Sequence, residues 1–302
     1  MSSNIKSTQL KLLIGIIANV SFFCTSIGIF SGGGPGPYNY TSIRHNTVTI
    51  FGKGVYQHMS AEVAPQGIAQ DYITLFLGIP LLMVSFWVSR RGSIRGKFIL
   101  AGVLGYFLVT YLFYLVMAMY NYLFLGYVIL LGVSFFAFLM VLSSFELSEL
   151  SKFISNETPV KSIGGFLIFV SLSIAFLWLS IVIPPLLNGT LIPKEVEHYT
   201  TLIVQGLDLA ILLPSAFIIG ILFRSRNPPG LLLAPVYFIF LSILMTALTA
   251  KVIAMWSLGY NVVPVIFIIP SFNLVTILCT VIILKNISNT SNRENTETQV
   301  SF

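Results

Sequence analysis

The stretch LLLAPVYFIFLSILMTALTAKVIAMW, Leu231 to Trp256, decides the fold, because Lys251 is its only charge. At 1.5 Å rise per residue such a run crosses the roughly 30 Å hydrocarbon core of a bilayer. Backbone polar groups in lipid must be satisfied within the segment, so a run this long and this apolar is a helix rather than a strand. Working outward with the same criterion yields eight windows, at 10–30, 70–89, 98–119, 122–143, 163–187, 200–223, 231–256 and 262–284. The composition agrees: 302 residues are 56% hydrophobic and 9% charged, where a soluble domain carries about 25% charged residues. The expectation is an all-α integral membrane protein with eight transmembrane helices in one domain over 1–302. The same numbers exclude a disordered chain, a secreted disulfide scaffold and a nucleic-acid-binding domain, since the 16 Lys and Arg are scattered in short turns. The implied partner is the lipid bilayer, with no nucleic acid; oligomeric state is not readable.

The net charge of +6 bears on topology instead. Cytoplasmic loops retain Lys and Arg. With both termini inside, the inner segments hold Lys6, Lys11, Arg90, Arg91, Arg95, Lys97, Lys152, Lys161, Arg224, Arg226, Lys285 and Arg293, and the outer ones only Arg44, Lys53 and Lys194. The reading is a multi-pass plasma-membrane protein, both termini cytoplasmic. Lys6 and Lys11 precede the apolar run Leu12 to Phe30, which no small-x-small cleavage site closes, so the run reads as a retained first span. Cys24 and Cys279 sit inside apolar runs and act as small hydrophobes, not as a disulfide.

The largest extramembrane segment is the outer loop 31–69. It opens on Gly32-Gly33-Gly34-Pro35-Gly36-Pro37, which cannot be helical. Thr47 to Phe51 and Val55-Tyr56 flank Gly52-Lys53-Gly54, which reads as a short outer β-hairpin. On the inner side, within 144–162, Leu147, Leu150 and Ile154 share one face of an amphipathic segment suited to the membrane interface. The tail 286–302 is polar and reads as disordered.

A loose internal repeat divides the chain into halves 1–143 and 163–284. Gln70-Asp71, Pro80 and Arg90-Arg91 recur as Gln205 with Asp208, Pro214 and Arg224-Ser225-Arg226. Acid and proline are nine residues apart in the first copy and six in the second. Each half holds an even number of spans, so this is a candidate 4+4 parallel pseudo-repeat about an axis along the membrane normal, the setting in which transporters place their sites.

Charges inside spans are costly and mark a pairing or a pathway. Three lie in the outer half: Asp71, Asp208 and Lys251. Asp208 and Lys251 fall at similar depth, an arrangement that permits an ion pair. Gln70 and Gln205 lie close by and can hydrogen-bond a carboxylate or a ligand. Tyr111, Tyr114 and Asn121 lie toward the outer end of the third span and can line the same pocket. Against this, an Asp near a helix start caps free N–H groups, and Lys251 can snorkel to the interface.

His45, His58 and His198 all fall on the outer side. Together with an Asp they offer a zinc site in principle, but no HxxxH or HExxH spacing is present, and the residues call for no cofactor. The sequons at Asn39 and Asn188 face outward. Walker A, GxGxxG and GxSxG sequences are absent.

Gly52-Lys53-Gly54-Val55-Tyr56, Gln70-Asp71, Gly78-Ile79-Pro80-Leu81-Leu82, Arg91-Gly92-Ser93-Ile94-Arg95-Gly96, Tyr120 to Leu125 and Gln205-Gly206-Leu207-Asp208-Leu209 together resemble blocks of a group of uncharacterised prokaryotic polytopic membrane proteins. The resemblance runs from the second span to the seventh and implies an integral plasma-membrane protein without supplying an activity. The preferred reading of the residues is a non-enzymatic protein that binds or moves a small polar or cationic ligand, or a proton, in an outward-facing pocket of Asp71, Asp208, Gln70, Gln205 and Lys251. The alternatives are a metal-dependent hydrolase or transferase acting on lipid through His58 and His198, and a scaffold or accessory subunit that docks through the outer hairpin and the inner segment.

Overall fold

The computed structural model describes residues 2–117 and 119–288 of the chain. The tail beyond 288 with Arg293, the Lys6 side chain and Ala118 lie outside the described residues. Eight helices are long and apolar enough to cross a membrane. They are α1 (Ser2–Phe30), α2 (Ala64–Arg90), α3 (Ile94–Met117), α4 (Phe124–Leu142), α5 (Val160–Leu187), α6 (Ile203–Arg224), α7 (Pro228–Ser257) and α8 (Val265–Lys285). α3 and α7 are the most enclosed and pack on each other at the centre of the bundle. α2 packs along α3 and α7, and α6 along α7 and the flank of α3. α5 and α8 expose most of their apolar surface, as lipid-facing helices do, since lipid tails solvate such surface.

Segments that alternate between the two ends of the helices meet their own side. On the side that the charge bias assigns to the inside, Arg95 donates to the Ile287 and Lys285 carbonyls, Lys97 to the Ser144 carbonyl at 2.7 Å and Arg226 to the Ser155 carbonyl at 2.7 Å. The inner segment is a 3-10 turn (Leu147–Glu149) running into one helical turn (Leu150–Phe153). Leu150 and Ile154 are buried in the protein rather than laid on lipid, with Ile154 bridged to Ile287, while Leu147 is exposed.

The outer loop carries a hairpin, but its strands are β1 (Tyr38–Thr41) and β2 (Thr47–Ile50), with Tyr38 opposite Ile50. Val55 and Tyr56 therefore do not form the partner strand expected from sequence. Gly52 and Gly54 take positive φ of 70° and 56° and turn the chain into a 3-10 turn (Gly54–Tyr56). That turn drives Val55 and Tyr56 inward, both buried, and the chain then returns along β2 through the Ile50–Ser60 bridge.

α2 and α6 share an unusual backbone. Each contains one wide π-helical turn, Thr74–Gly78 and Asp208–Leu212, closed by Ile79 N–H to the Thr74 carbonyl and Leu213 N–H to the Asp208 carbonyl. The cause stands next in the chain: Pro80 and Pro214 have no N–H and press on the preceding turn, which widens to make room. Both helices then run twelve further residues, Ile79–Arg90 and Leu213–Arg224. The 134-residue offset between Pro80 and Pro214 also pairs Gly92 with Arg226, both at positive φ. It pairs Gly96 with Gly230 as well. A Cβ on Gly96 would lie 2.7 Å from Ser89 N, and one on Gly230 would lie 2.3 Å from Leu222 C and 2.5 Å from Phe223 N.

Candidate functional site

Among the described residues Asp71 is the best-enclosed charged residue, 3% exposed, and three elements build its surroundings. On α2, Gly67, Gln70, Asp71, Thr74 and Gly78 recur every three or four residues and so face one neighbour. On α3, Tyr106, Thr110 and Tyr114 stand one turn apart and face back. The contacts interleave. Tyr114 Oη lies 2.9 Å from Asp71 Oδ1 and 3.0 Å from the Gly67 carbonyl. Gln70 Nε2 donates to Tyr106 Oη at 2.8 Å and, more weakly, to Thr110 Oγ1 at 3.4 Å. Thr74 Oγ1 bonds the Gln70 carbonyl and Tyr106 Oη, at 3.0 and 2.7 Å.

The third element is the outer loop. Tyr56 reaches in from its 3-10 turn and donates to Asp71 Oδ2 at 2.5 Å. Burial, and next the neighbouring Asp71, push the Tyr56 phenol well above its usual range, so it stays a donor. From the other side α1 presents Gly28, where a Cβ would sit 1.8 Å from Asp71 Oδ2 and 3.2 Å from Tyr56 Oη. Asp71 is thus covered on the outer side by Tyr56 and closed by α1, rather than open to an outward pocket.

Asp208 has different surroundings. It begins the π turn of α6, is half-buried, and accepts one bond from the Trp178 indole on α5 at 2.8 Å. Lys251 on α7 is within electrostatic reach of both Asp208 and Asp71. Among the described residues no carboxylate lies within 4.0 Å of its ammonium, so the two do not form a contact ion pair. Gln205 is half-buried one turn before Asp208.

The remaining expected residues take other places. Tyr111 is 1% exposed, stacks on Tyr127 and has a hydroxyl without a hydrogen-bond partner. Asn121 lies in the turn before α4, where its side chain donates to the Met119 carbonyl and accepts from Leu123 N–H. His45 is exposed in the β1–β2 turn, and His198 Nε2 faces the His58 backbone carbonyl at 2.9 Å rather than its ring. Among the described residues no three His, Cys, Asp or Glu side chains converge as a metal site would require. Cys24 and Cys279 are buried and unbridged.

Tyr56, Gly28 and Trp178 complete the carboxylate surroundings without having stood out as site residues in the sequence. Tyr114 carried a signal, since with Tyr106 it makes an i, i+8 face pointing at the acid-bearing helix. An apolar cavity of about 510 Å³ lies apart from these groups, between Leu108, Leu112, Leu131, Phe135, Leu207 and Ile211 of α3, α4 and α6. No protein-family model matches this chain, and neither a curated protein nor a solved structure shows significant similarity to it.

Proposed function

We propose that this polytopic protein, placed in the plasma membrane with both termini cytoplasmic, binds one positive charge, a proton or a small cation, in the outer half of the membrane and couples it to movement of its two halves. The observation that carries the reading is the charge count at that depth. Two carboxylates, Asp71 and Asp208, are served by one ammonium, Lys251, which touches neither. An uncompensated carboxylate in low dielectric is costly, and one proton or one cation removes the deficit. The enclosure of Asp71 favours a proton over a cation there, since the α1 face leaves no room at Oδ2, while Tyr114 Oη, by giving its hydrogen to the Gly67 carbonyl, can accept one from a protonated Oδ1. The π turns and prolines of α2 and α6 supply paired places where a helix can change shape, and the 134-residue offset supports reading them as corresponding parts of a 4+4 repeat.

Infrared difference spectra of the protein in lipid nanodiscs test this, recorded as pH is stepped and as sodium chloride is exchanged for choline chloride. The expected result is a carboxyl band that titrates or responds to the cation and disappears in Asp71→Asn or Asp208→Asn. Coincident spectra for the parent and both variants would remove the proposal.

A further inference from the structure

The Asp71 cover is held down from the other half of the molecule. Contacts from four residues, Tyr40, Arg44, His58 and Ser60, bridge the loop that carries Tyr56 to residues 194–200, which precede α6. From the β1–β2 turn, the Arg44 guanidinium donates to the carbonyls of Glu197 at 3.1 Å, Tyr199 at 2.9 Å and Thr200 at 3.5 Å. Ser60 N–H donates to Tyr199 Oη at 3.0 Å. His198 sets Nε2 against the His58 carbonyl and its ring against Tyr40, with centroids 6.1 Å apart. Within 194–200, Glu197 is held at φ 48°, in the left-handed region that non-glycine residues rarely occupy, and Val196 is buried.

The loop is also pinned at its root, where Val55 N–H donates to Ser31 Oγ at 2.9 Å and a Cβ on Gly54 would lie 2.4 Å from the Ser31 carbonyl. Tyr56 sits between the root and the bridge. It is 2% exposed and its ring is packed against Gly67, where a Cβ would meet it at 3.1 Å, so the packing around it holds it at Asp71. It leaves when residues 54–60 lift together, and the Arg44 and Ser60 contacts oppose that lift.

We infer that residues 194–200 are a latch through which the second half controls access to the Asp71 site from outside. The inference takes the importance of Asp71 from the proposed function, while the latch itself stands on the loop contacts.

The native thiol of Cys24 reports it. Cys24 lies one turn inward of Gly28, is 5% exposed, and packs against Gly126. In a Cys279→Ser background, a membrane-impermeant cationic methanethiosulfonate is applied from outside and the rate of Cys24 modification is measured. Arg44→Ala is expected to raise the rate at least about tenfold, the factor expected in an opening equilibrium when a charge-assisted hydrogen bond is lost, with Tyr56→Ala faster still. Hydrogen exchange distinguishes unlatching from misfolding: it should rise in residues 38–63 of Arg44→Ala and stay unchanged in α3 and α7. An unchanged Cys24 rate in Arg44→Ala, or faster exchange throughout the bundle, overturns the latch. Gated Cys24 with no titrating carboxyl band would keep the latch and remove the proton reading; a titrating band with ungated Cys24 would do the reverse.

Discussion

Gly28→Ala puts the carboxylate site to its sharpest test. The added methyl carbon would lie 1.8 Å from Asp71 Oδ2 and 2.8 Å from Cγ. Atoms in van der Waals contact are about 3.5 Å apart, so one of the two must retreat by more than about 1 Å. Neither α1 nor the carboxylate is free to do so, because Asp71 is tied to Tyr56 and Tyr114 on opposite oxygens. Overpacking of this kind costs about 1–3 kcal/mol, and losing one hydrogen bond to the carboxylate costs about 1–3 kcal/mol more. The expected loss is therefore about 2–6 kcal/mol in equilibrium unfolding in mixed SDS micelles. Gly15→Ala, on the same helix with nothing within 4 Å of its Cβ, is the control and should be neutral or slightly stabilising, by up to about 1 kcal/mol. In an Asp71→Ala background the cost of Gly28→Ala should fall below about 1 kcal/mol, because the atom it collides with is gone. Equal stability of the two alanine variants, or an undiminished cost in the double variant, would refute the argument.

Two further outcomes follow from the same geometry. Partial burial, then Glu197 and Glu195, raise the Glu62 carboxyl above its usual range, and Tyr199, Tyr260, Arg44 and His198 belong to the same outer surface. An acid whose folded-state value is raised contributes fully below its unfolded value and loses that contribution as pH rises through the folded one, so hydrogen exchange of 38–63 should quicken from acid toward neutral pH, with a smaller change in Glu62→Gln. Gly96→Ala and Gly230→Ala should each reduce folded yield severely, since a Cβ at either position meets the backbone of the preceding helix, whereas Gly132→Ala, with nothing within 4 Å, should not. Normal yield from either of the first two would contradict the corresponding tight turns.

All eight spans were legible because a bilayer-crossing helix needs only length and apolarity, both properties of a single segment. Their ends were less so: α2 begins at Ala64, ahead of the window opening at 70, because Pro65, Gln66 and Gly67 lower the apparent apolarity of a first turn that the protein buries in part. Asp71 and Gln70 announced themselves as polar groups in an apolar run. Tyr56 did not, because its role depends on a loop folding back between Gly52 and Ser60, and an alternating pattern there reads as a strand. Gly28 was silent, since a glycine in an apolar run does not say what abuts it. The candidate internal repeat was read on its acids, nine residues from proline in one copy and six in the other. Aligning on the prolines and the terminal arginines, the positions where backbone geometry is set, pairs Asp208 with Thr74 and Asp71 with Gln205.

On that alignment α2 and α6 are alike in backbone and unlike in chemistry. At the start of the π turn, Thr74 is buried and spends its hydroxyl on Gln70 and Tyr106, while Asp208 is half-buried and held by Trp178. Tyr114, which serves Asp71, corresponds to Leu248, and Met117 corresponds to Lys251. The first half therefore has an acid sealed by phenols, and the second has an acid in looser surroundings together with Lys251. On the proposed reading the two acids need not be occupied together: a positive charge held at one would change the field on Lys251, which is within electrostatic reach of both. α7, which carries Lys251, packs on α2, α3 and α6 and so connects the two acid-bearing helices. The latch between the outer loops then gives the second half a mechanical hold on the cover of the first, so the electrostatic and the mechanical connection between the halves act on one residue, Asp71.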